Sequence, residues 1–292
     1  MLRNKTVFIG ISATIILLLF VATHLVLRNN VSSKPRDYAD ITARGVMSVA
    51  VDFSPLSYHI QGDSVSGFDY ELLQMLSRQA NIEIDIHPET GLSKSLDLLN
   101  HGTYDVIAQQ IPITTENKQE YIFTKPLLLN KQVLIQRTDS SGNVAIRNQL
   151  DLADCTLHIA QDAPTRLRIE NLAHEIGSTI HITELPDYGP EQLIILVATG
   201  EIDYAVCDEA KATVIAADYD NIDYRTDISF TQFMSWTLRK DSPVLRDSID
   251  SWLTQIQETE EYKTLYTKYF GTKTYDKHRR ISNEINDSIA AQ

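Results

Sequence analysis

Cysteine is nearly absent: 292 residues contain two, Cys155 and Cys207. Two thiols make neither a disulfide scaffold nor a zinc site of the usual spacing. Both fall on or beside predicted strands, Leu157–Ala160 and Tyr204–Cys207. If those strands run parallel, Cys155 precedes one and Cys207 ends the other, well over ~10 Å apart at ~3.3 Å per residue. A disulfide needs Cα atoms within ~7 Å, so two free thiols are expected. Basic charge is also short, 26 Lys and Arg against 39 Asp and Glu for a net −13. Such a balance repels phosphates and argues against nucleic-acid binding. There is no Ser/His/Asp ordering, no His-x-x-x-His pair and no glycine-rich phosphate loop, and the eight histidines are scattered. No metal, cofactor or catalytic residue is expected. Glu209 beside Asp208 would form an acid–base pair only if burial shifted one of them.

What is present begins with a long apolar run, Val7 to Leu27, behind Arg3 and Lys5. About 20 residues cross a ~30 Å hydrocarbon core. The run ends in His24-Leu25-Val26-Leu27-Arg28, a poor cleavage site, and no cysteine follows for a lipid anchor. Residues 1–30 are therefore expected to be an uncleaved signal anchor, one N-terminal transmembrane helix, with 31–37 a polar linker. The basic residues on its two sides nearly balance.

Beyond the linker, strands and helices alternate. Met47–Val51 reads as a buried strand. Asp69–Ala80 reads as an amphipathic helix with Leu72, Leu73, Leu76 and Ala80 on one face. Ile82–His87 is a strand, Lys94–His101 a helix stopped at Gly102, and Tyr104–Ala108 a strand. The pattern then restarts with strand Leu157–Ala160, helix Thr165–His174, strand Ile180–Glu184, helix Pro190–Thr199 and strand Tyr204–Cys207. Gly102-Thr-Tyr-Asp105 is echoed by Gly200-Glu-Ile-Asp203, and an aspartate follows the first strand of each half, Asp52 and Asp162. Two echoes in the same order predict two similar α/β lobes. Leu127–Gln136 and Ile228–Leu238 are the candidate crossover strands. Helices Pro243–Gln257 and Glu260–Phe270 would return the chain to the first lobe. The expected division is 38–135 for lobe 1, 136–228 for lobe 2, 229–271 for the return and 272–292 for a loose polar tail. The ligand would sit in the cleft at the carboxyl ends of both sheets.

The segment Val51-Asp52-Phe53-Ser54-Pro55-Leu56-Ser57-Tyr58, followed by Gly67-Phe68-Asp69-Tyr70-Glu71-Leu72, resembles the start of the bacterial solute-binding proteins for polar amino acids. Asp105 to Thr114 (DVIAQQIPIT), Phe123-Thr124-Lys125-Pro126, Gln161-Asp162, Cys207-Asp208-Glu209 and Tyr262–Gly271 follow in that family's order. The resemblance runs from about Tyr38 to Gly271 and implies a two-lobed periplasmic-binding-protein (Venus-flytrap) fold. It also implies a soluble body in the periplasm, anchored to the inner membrane. The opening is most similar to the N-terminal, non-catalytic domain of the membrane-bound lytic transglycosylases F. Only 21 residues follow Gly271, too few for a lysozyme-like domain, so the sensor half is expected without the lytic one. The implied partners are a small polar ligand (amino acid, amine or peptidoglycan-derived fragment) and an ABC permease or a peptidoglycan-processing protein. Some relatives of this fold, such as cyclohexadienyl dehydratase, are enzymes.

The resemblance also implies ligand positions, and some depart from the family. The family's carboxylate-binding arginine falls on Asn117, and its serine or threonine donors become Gln109, Gln110 and Pro112. Asn supplies no charge, and Pro112 removes a backbone donor. Arg166 or Arg168 would have to substitute, or else is an exposed helix charge. Asp208 matches the aspartate that holds a ligand ammonium; alternatively it caps the following helix. Asp52 holds a ligand polar group or caps a turn before Pro55, and Tyr58 is a ligand wall or a core aromatic. Asp162 and Thr165 either face the cleft at a helix start or cap that helix beside Pro164.

Overall fold

The computed structural model describes residues 36–161, 163, 165–186 and 188–290. The expected membrane span and Asp162 lie outside the described residues, among which no helix is long and apolar enough to cross a membrane.

Thirteen strands are described: β1 Val46–Asp52, β2 His59–Gln61, β3 Ser64–Ser66, β4 Glu83–Glu89, β5 Val106–Pro112, β6 Tyr121–Phe123, β7 Leu128–Asn130, β8 Gln132–Arg137, β9 Thr156–Ala160, β10 His181–Leu185, β11 Tyr204–Asp208, β12 Ile222–Asp227 and β13 Gln232–Arg239. Ten α-helices accompany them: α1 Tyr38–Arg44, α2 Phe68–Ala80, α3 Leu92–Asn100, α4 Asn117–Glu120, α5 Thr165–Ile176, α6 Pro190–Thr199, α7 Glu209–Ile215, α8 Pro243–Gln257, α9 Glu260–Phe270 and α10 Thr272–Ala290. One sheet has the order β4-β1-β5-β13-β6, with β7 also on β13; the other has the order β10-β9-β11-β8-β12. β1 is parallel to β4 and β5, and β9 is parallel to β10 and β11, while β13 and β8 run antiparallel to their neighbours.

Alternation along the strands builds two lobes with apolar layers on both faces of each sheet. In β1, Met47, Val49 and Val51 enter one layer and Ala50 the opposite one. In β8, Leu134 faces the layer of Leu157, Ile169 and Leu172, whereas Val133 and Ile135 face that of Leu193, Ile194 and Val197. The helical periodicity of α2 buries Leu72, Leu73 and Leu76, as the sequence predicts, together with Phe68 and Met75.

The predicted internal echo has a physical basis. Gly102 and Gly200 both adopt left-handed backbone at the end of their helices. The antiparallel strand of each lobe ends in an arginine. Arg239 donates to the carbonyls of Leu99 and Tyr104, and Arg137 to those of Val197 and Ile202. Each also meets the echoed aspartate, Arg239 at 3.7 Å from Asp105 and Arg137 at 2.6 Å from Asp203. The same device thus ties helix end, strand start and central antiparallel strand together in both lobes.

Two expectations need correction. β8 belongs wholly to the second sheet, so the chain changes sheets at Lys131 and not after residue 135. The apolar run hides this point because the strands on both sides of Lys131 are buried. The tail is not loose but begins as α10. Tyr275 and His278, one helical turn apart, are buried against α9: the Tyr275 ring lies 5.6 Å from that of Tyr266, and His278 stacks on it at 5.2 Å. Arg279 pairs with Glu258 at 2.9 Å. Three side chains on one stripe suffice to dock a helix that is otherwise polar.

The two passages between lobes lie side by side. Ser229 Oγ accepts from Gln132 N, Ile228 N donates to the Gln132 carbonyl, and Gln232 pairs with Asn130. Both cysteines are free. Ala205 of β11 sits opposite His158 of β9, which places Cys155 and Cys207 about 16 Å apart along the strands.

Candidate functional site

The carboxyl ends of the two sheets meet. Asp52, last in β1, reaches Lys211 of α7 with 2.8 Å between Oδ2 and Nζ. This ion pair joins the lobes across the seam. Beside it, α7 sets Ala210 and Val214 against the core of the first lobe. The amide of Ala210 donates to Oδ1 of Asn130 at 3.1 Å, a buried residue at the crossing.

Asp208 occupies the N-cap position of α7 but makes no side-chain capping bond. Its Oδ1 accepts from Gln132 Nε2 at 3.0 Å. Burial raises its pKa, with Lys211 opposing and Asp52 adding to the rise. For Lys211, burial favours the neutral amine, but Asp52 and Asp208 outweigh it and hold the ammonium above its usual range. Glu209 turns elsewhere, to Lys131 at 3.3 Å. Lys131 also meets Asp227 at 2.7 Å, so Asp208 and Glu209 do not form a mutual pair.

The floor on the first-lobe side is built around Asp69. The turn that delivers it depends on Gly67, whose φ is +136°; a Cβ there would stand 2.2 Å from the Ser57 carbonyl oxygen. Gly67 N donates to the Tyr269 hydroxyl at 2.8 Å. Asp69 is fully buried, and its Oδ1 accepts from Gln110 Nε2 at 2.8 Å and from Trp236 Nε1 at 2.9 Å. Burial pushes its pKa up to about 6, against the lowering effect of the hydrogen bonds from Trp236 and Gln110.

The other sequence-predicted positions are distributed by strand alternation and loop geometry. Gln109 points to the opposite face of β5 from Gln110 and donates to Ser95 Oγ of α3 at 3.1 Å. The Pro112 carbonyl accepts from Asn117 Nδ2 at 3.0 Å, and Asn117 N donates to Thr114 Oγ1 at 3.1 Å, so Asn117 ties up its own loop. Tyr58 packs on the first core, edge-on to Tyr70 with ring centres 5.5 Å apart. Thr165 is buried at the start of α5. Arg166 is held by Glu184 at 2.6 Å, and Arg168 by Glu175 at 2.6 Å and the Ile228 carbonyl at 2.8 Å. The structure therefore gathers Asp52 and Asp208 at the seam, with Gln110 on the floor beside Asp69, and turns Gln109, Asn117 and Tyr58 toward the body of the first lobe. Sequence reasoning missed Lys211, Gln132 and the role of Asp69. The available clue was the spacing of Lys211, three residues after Asp208 on one helix face.

A separate cavity of about 410 Å³ lies among Gln136, Arg137, Asp139, Asn143, Asp203 and Tyr204, at the far end of the second sheet. No group of three or more metal-ligating side chains occurs among the described residues.

Two opposed α/β lobes joined by paired crossings define the class of two-lobed binding proteins. The profile of the bacterial extracellular solute-binding proteins, family 3, matches residues 46–272, and the chain belongs to that family. Among curated relatives, the membrane-bound lytic murein transglycosylase F of Desulfosudis oleivorans is 26% identical over 238 residues, covering 81% of this chain and 51% of the relative. That of Vibrio campbellii is 24% identical over 274 residues, covering 87% and 51%. The chain thus spans about half the length of these relatives. Among solved structures, a mutant of ArgBP from T. maritima superposes with a TM-score of 0.68 at 21% identity, over 80% of this chain and 99% of that one. An ancestral amino acid-binding protein that is a precursor of cyclohexadienyl dehydratase gives 0.66 at 20%, over 80% and 98%. At these identities the structural likeness establishes the fold.

Proposed function

We propose that the chain is a solute-binding module of the cell envelope whose lobes close on a small polar ligand, serving a sensor or a transport partner without chemistry of its own. The observation that carries this reading is the Asp52–Lys211 pair at the seam, 2.8 Å across. A charge pair that bridges the two lobes where the carboxyl ends of their sheets meet is what a closing module needs. A ligand that binds the closed arrangement better than the open one shifts the population between them. The family and its envelope-associated relatives support the location outside the cytoplasm, and anchoring by residues 1–30 belongs to the same proposal. Asp52, Gln110 and Asp208 form the proposed site, Gln110 touching the ligand while Asp52 holds Lys211 and Asp208 holds Gln132 in place beside it, with Gln109, Tyr58, Pro112, Asn117 and Thr165 shaping the loops around them. The partner is either an ABC permease or a peptidoglycan-processing protein. Native mass spectrometry of the full chain in detergent tests the reading. A small molecule should be released on denaturation, and its binding should fall at least tenfold in Asp208→Asn. Retention of full affinity in that variant would refute the site.

A further inference from the structure

The cation position at the seam is already filled by the chain itself. Lys211 Nζ stands 2.8 Å from Asp52 Oδ2, and Asp52 and Asp208 both strengthen its hold on the proton. The neighbouring cations are committed as well: Lys131 to Asp227 and Glu209, and Arg168 to Glu175 and a crossing carbonyl. Acceptors, by contrast, are left over. The Oε1 atoms of Gln110 and Gln132 are buried without a donor. Neither amide can be turned around to fix this, because each Nε2 already donates to a carboxylate, Asp69 or Asp208. Both glutamines therefore hold a carbonyl end in want of an N–H or O–H.

An α-amino acid fits this arrangement poorly. Its ammonium would compete with a tethered ammonium for the same carboxylates. Its carboxylate would meet no uncommitted cation among the described residues at the seam, and an unpaired buried carboxylate is strongly disfavoured. We propose that Lys211 determines specificity: it occupies, as a tethered ammonium, the place a ligand cation would take, and so restricts the cleft to uncharged ligands rich in N–H or O–H donors. These donors bond to Gln110 and Gln132 while Lys211 stays paired. This inference rests on the binding reading above.

Chemical rescue in the full chain tests it. Lys211→Ala removes three carbons and the ammonium, the outline of propylammonium. Propylammonium chloride should raise the thermal midpoint of Lys211→Ala by about 2–4 °C over sodium chloride at equal ionic strength. It should leave the wild type and the double variant Asp52→Asn/Lys211→Ala unmoved. Equal effects on all three, or none on a folded Lys211→Ala, would overturn the proposal. A second arm needs no variant at position 211. L-arginine and L-glutamine should not stabilise the wild type, and binding of either that weakens in Asp208→Asn would also overturn it. Failed rescue in a protein that still closes on some other ligand removes only the role of Lys211. Successful rescue in a protein that no ligand closes removes only the binding reading.

Discussion

Asp69→Asn should make the protein more stable at neutral pH and nearly unchanged near pH 4. Asp69 has no solvent exposure, and its pKa rises from 3.8 to about 6. Below the unfolded value both states hold the proton and the residue costs nothing. Between the two values the unfolded chain ionises first, so stability falls as the pH climbs. Above about 6 the penalty is complete. At roughly 1.4 kcal/mol per pH unit, a rise from 3.8 to about 6 is worth about 3 kcal/mol. Asparagine keeps the oxygen that accepts from Trp236 and Gln110 and puts a neutral amide in place of Oδ2, which accepts no hydrogen bond. The assay is urea unfolding of both proteins from pH 4 to pH 8. Other carboxyls titrate in the same range but cancel in the difference. The stability of the variant relative to the wild type should grow by about 2–3 kcal/mol across the series. A difference that stays flat, or shrinks as pH rises, would refute the account of a carboxyl held against burial.

Gly67→Ala should cost at least about 3 kcal/mol or prevent folding, because its Cβ would stand 2.2 Å from the Ser57 carbonyl oxygen at a φ of +136°; urea unfolding reads it. Asp105→Ala should cost about 3–5 kcal/mol, since the fully buried carboxylate faces Arg36 at 3.0 Å, Arg44 at 3.5 Å and Arg239 at 3.7 Å; calorimetry should show a lowered midpoint with the fold retained. In native protein a thiol reagent should modify Cys155 well before Cys207, which is buried and whose thiolate is opposed by that burial. Unfolding should equalise the two rates, and mass spectrometry of the labelled peptides reads the order.

Much of this architecture is legible in the residues because alternation along strands and spacing along helices report burial directly. Even the split between Gln109 and Gln110 was written there. Gln110 shares parity with Val106 and Ala108, which face α2, while Gln109 shares parity with Ile107 and Ile111, which face α3. The resemblance to known binders places both glutamines together, and the strand separates them. Lys211 escaped notice because a lysine on a short helix ordinarily reads as a solvated charge, and only the meeting of two distant sheet ends brings Asp52 to it. The docked tail helix escaped because its contact rests on Tyr275, His278 and Arg279, too few apolar side chains to raise a periodic signal. Asp208 sits at a helix start, as capping predicts, yet spends its side chain on Gln132, a partner fixed by the crossing strands and invisible to local reading.

In the proposed function the two lobes meet and part across the Asp52–Lys211 seam under the control of a bound ligand. Electron–electron distance measurement tests it most directly, with spin labels at the exposed positions Glu83 and Glu201 in a background lacking Cys155 and Cys207. Two distances should be populated in the free protein, the shorter one should grow when the co-purified ligand is restored, and Asp52→Asn should favour the longer one. A single distance that neither the bound ligand nor Asp52→Asn alters would contradict the account.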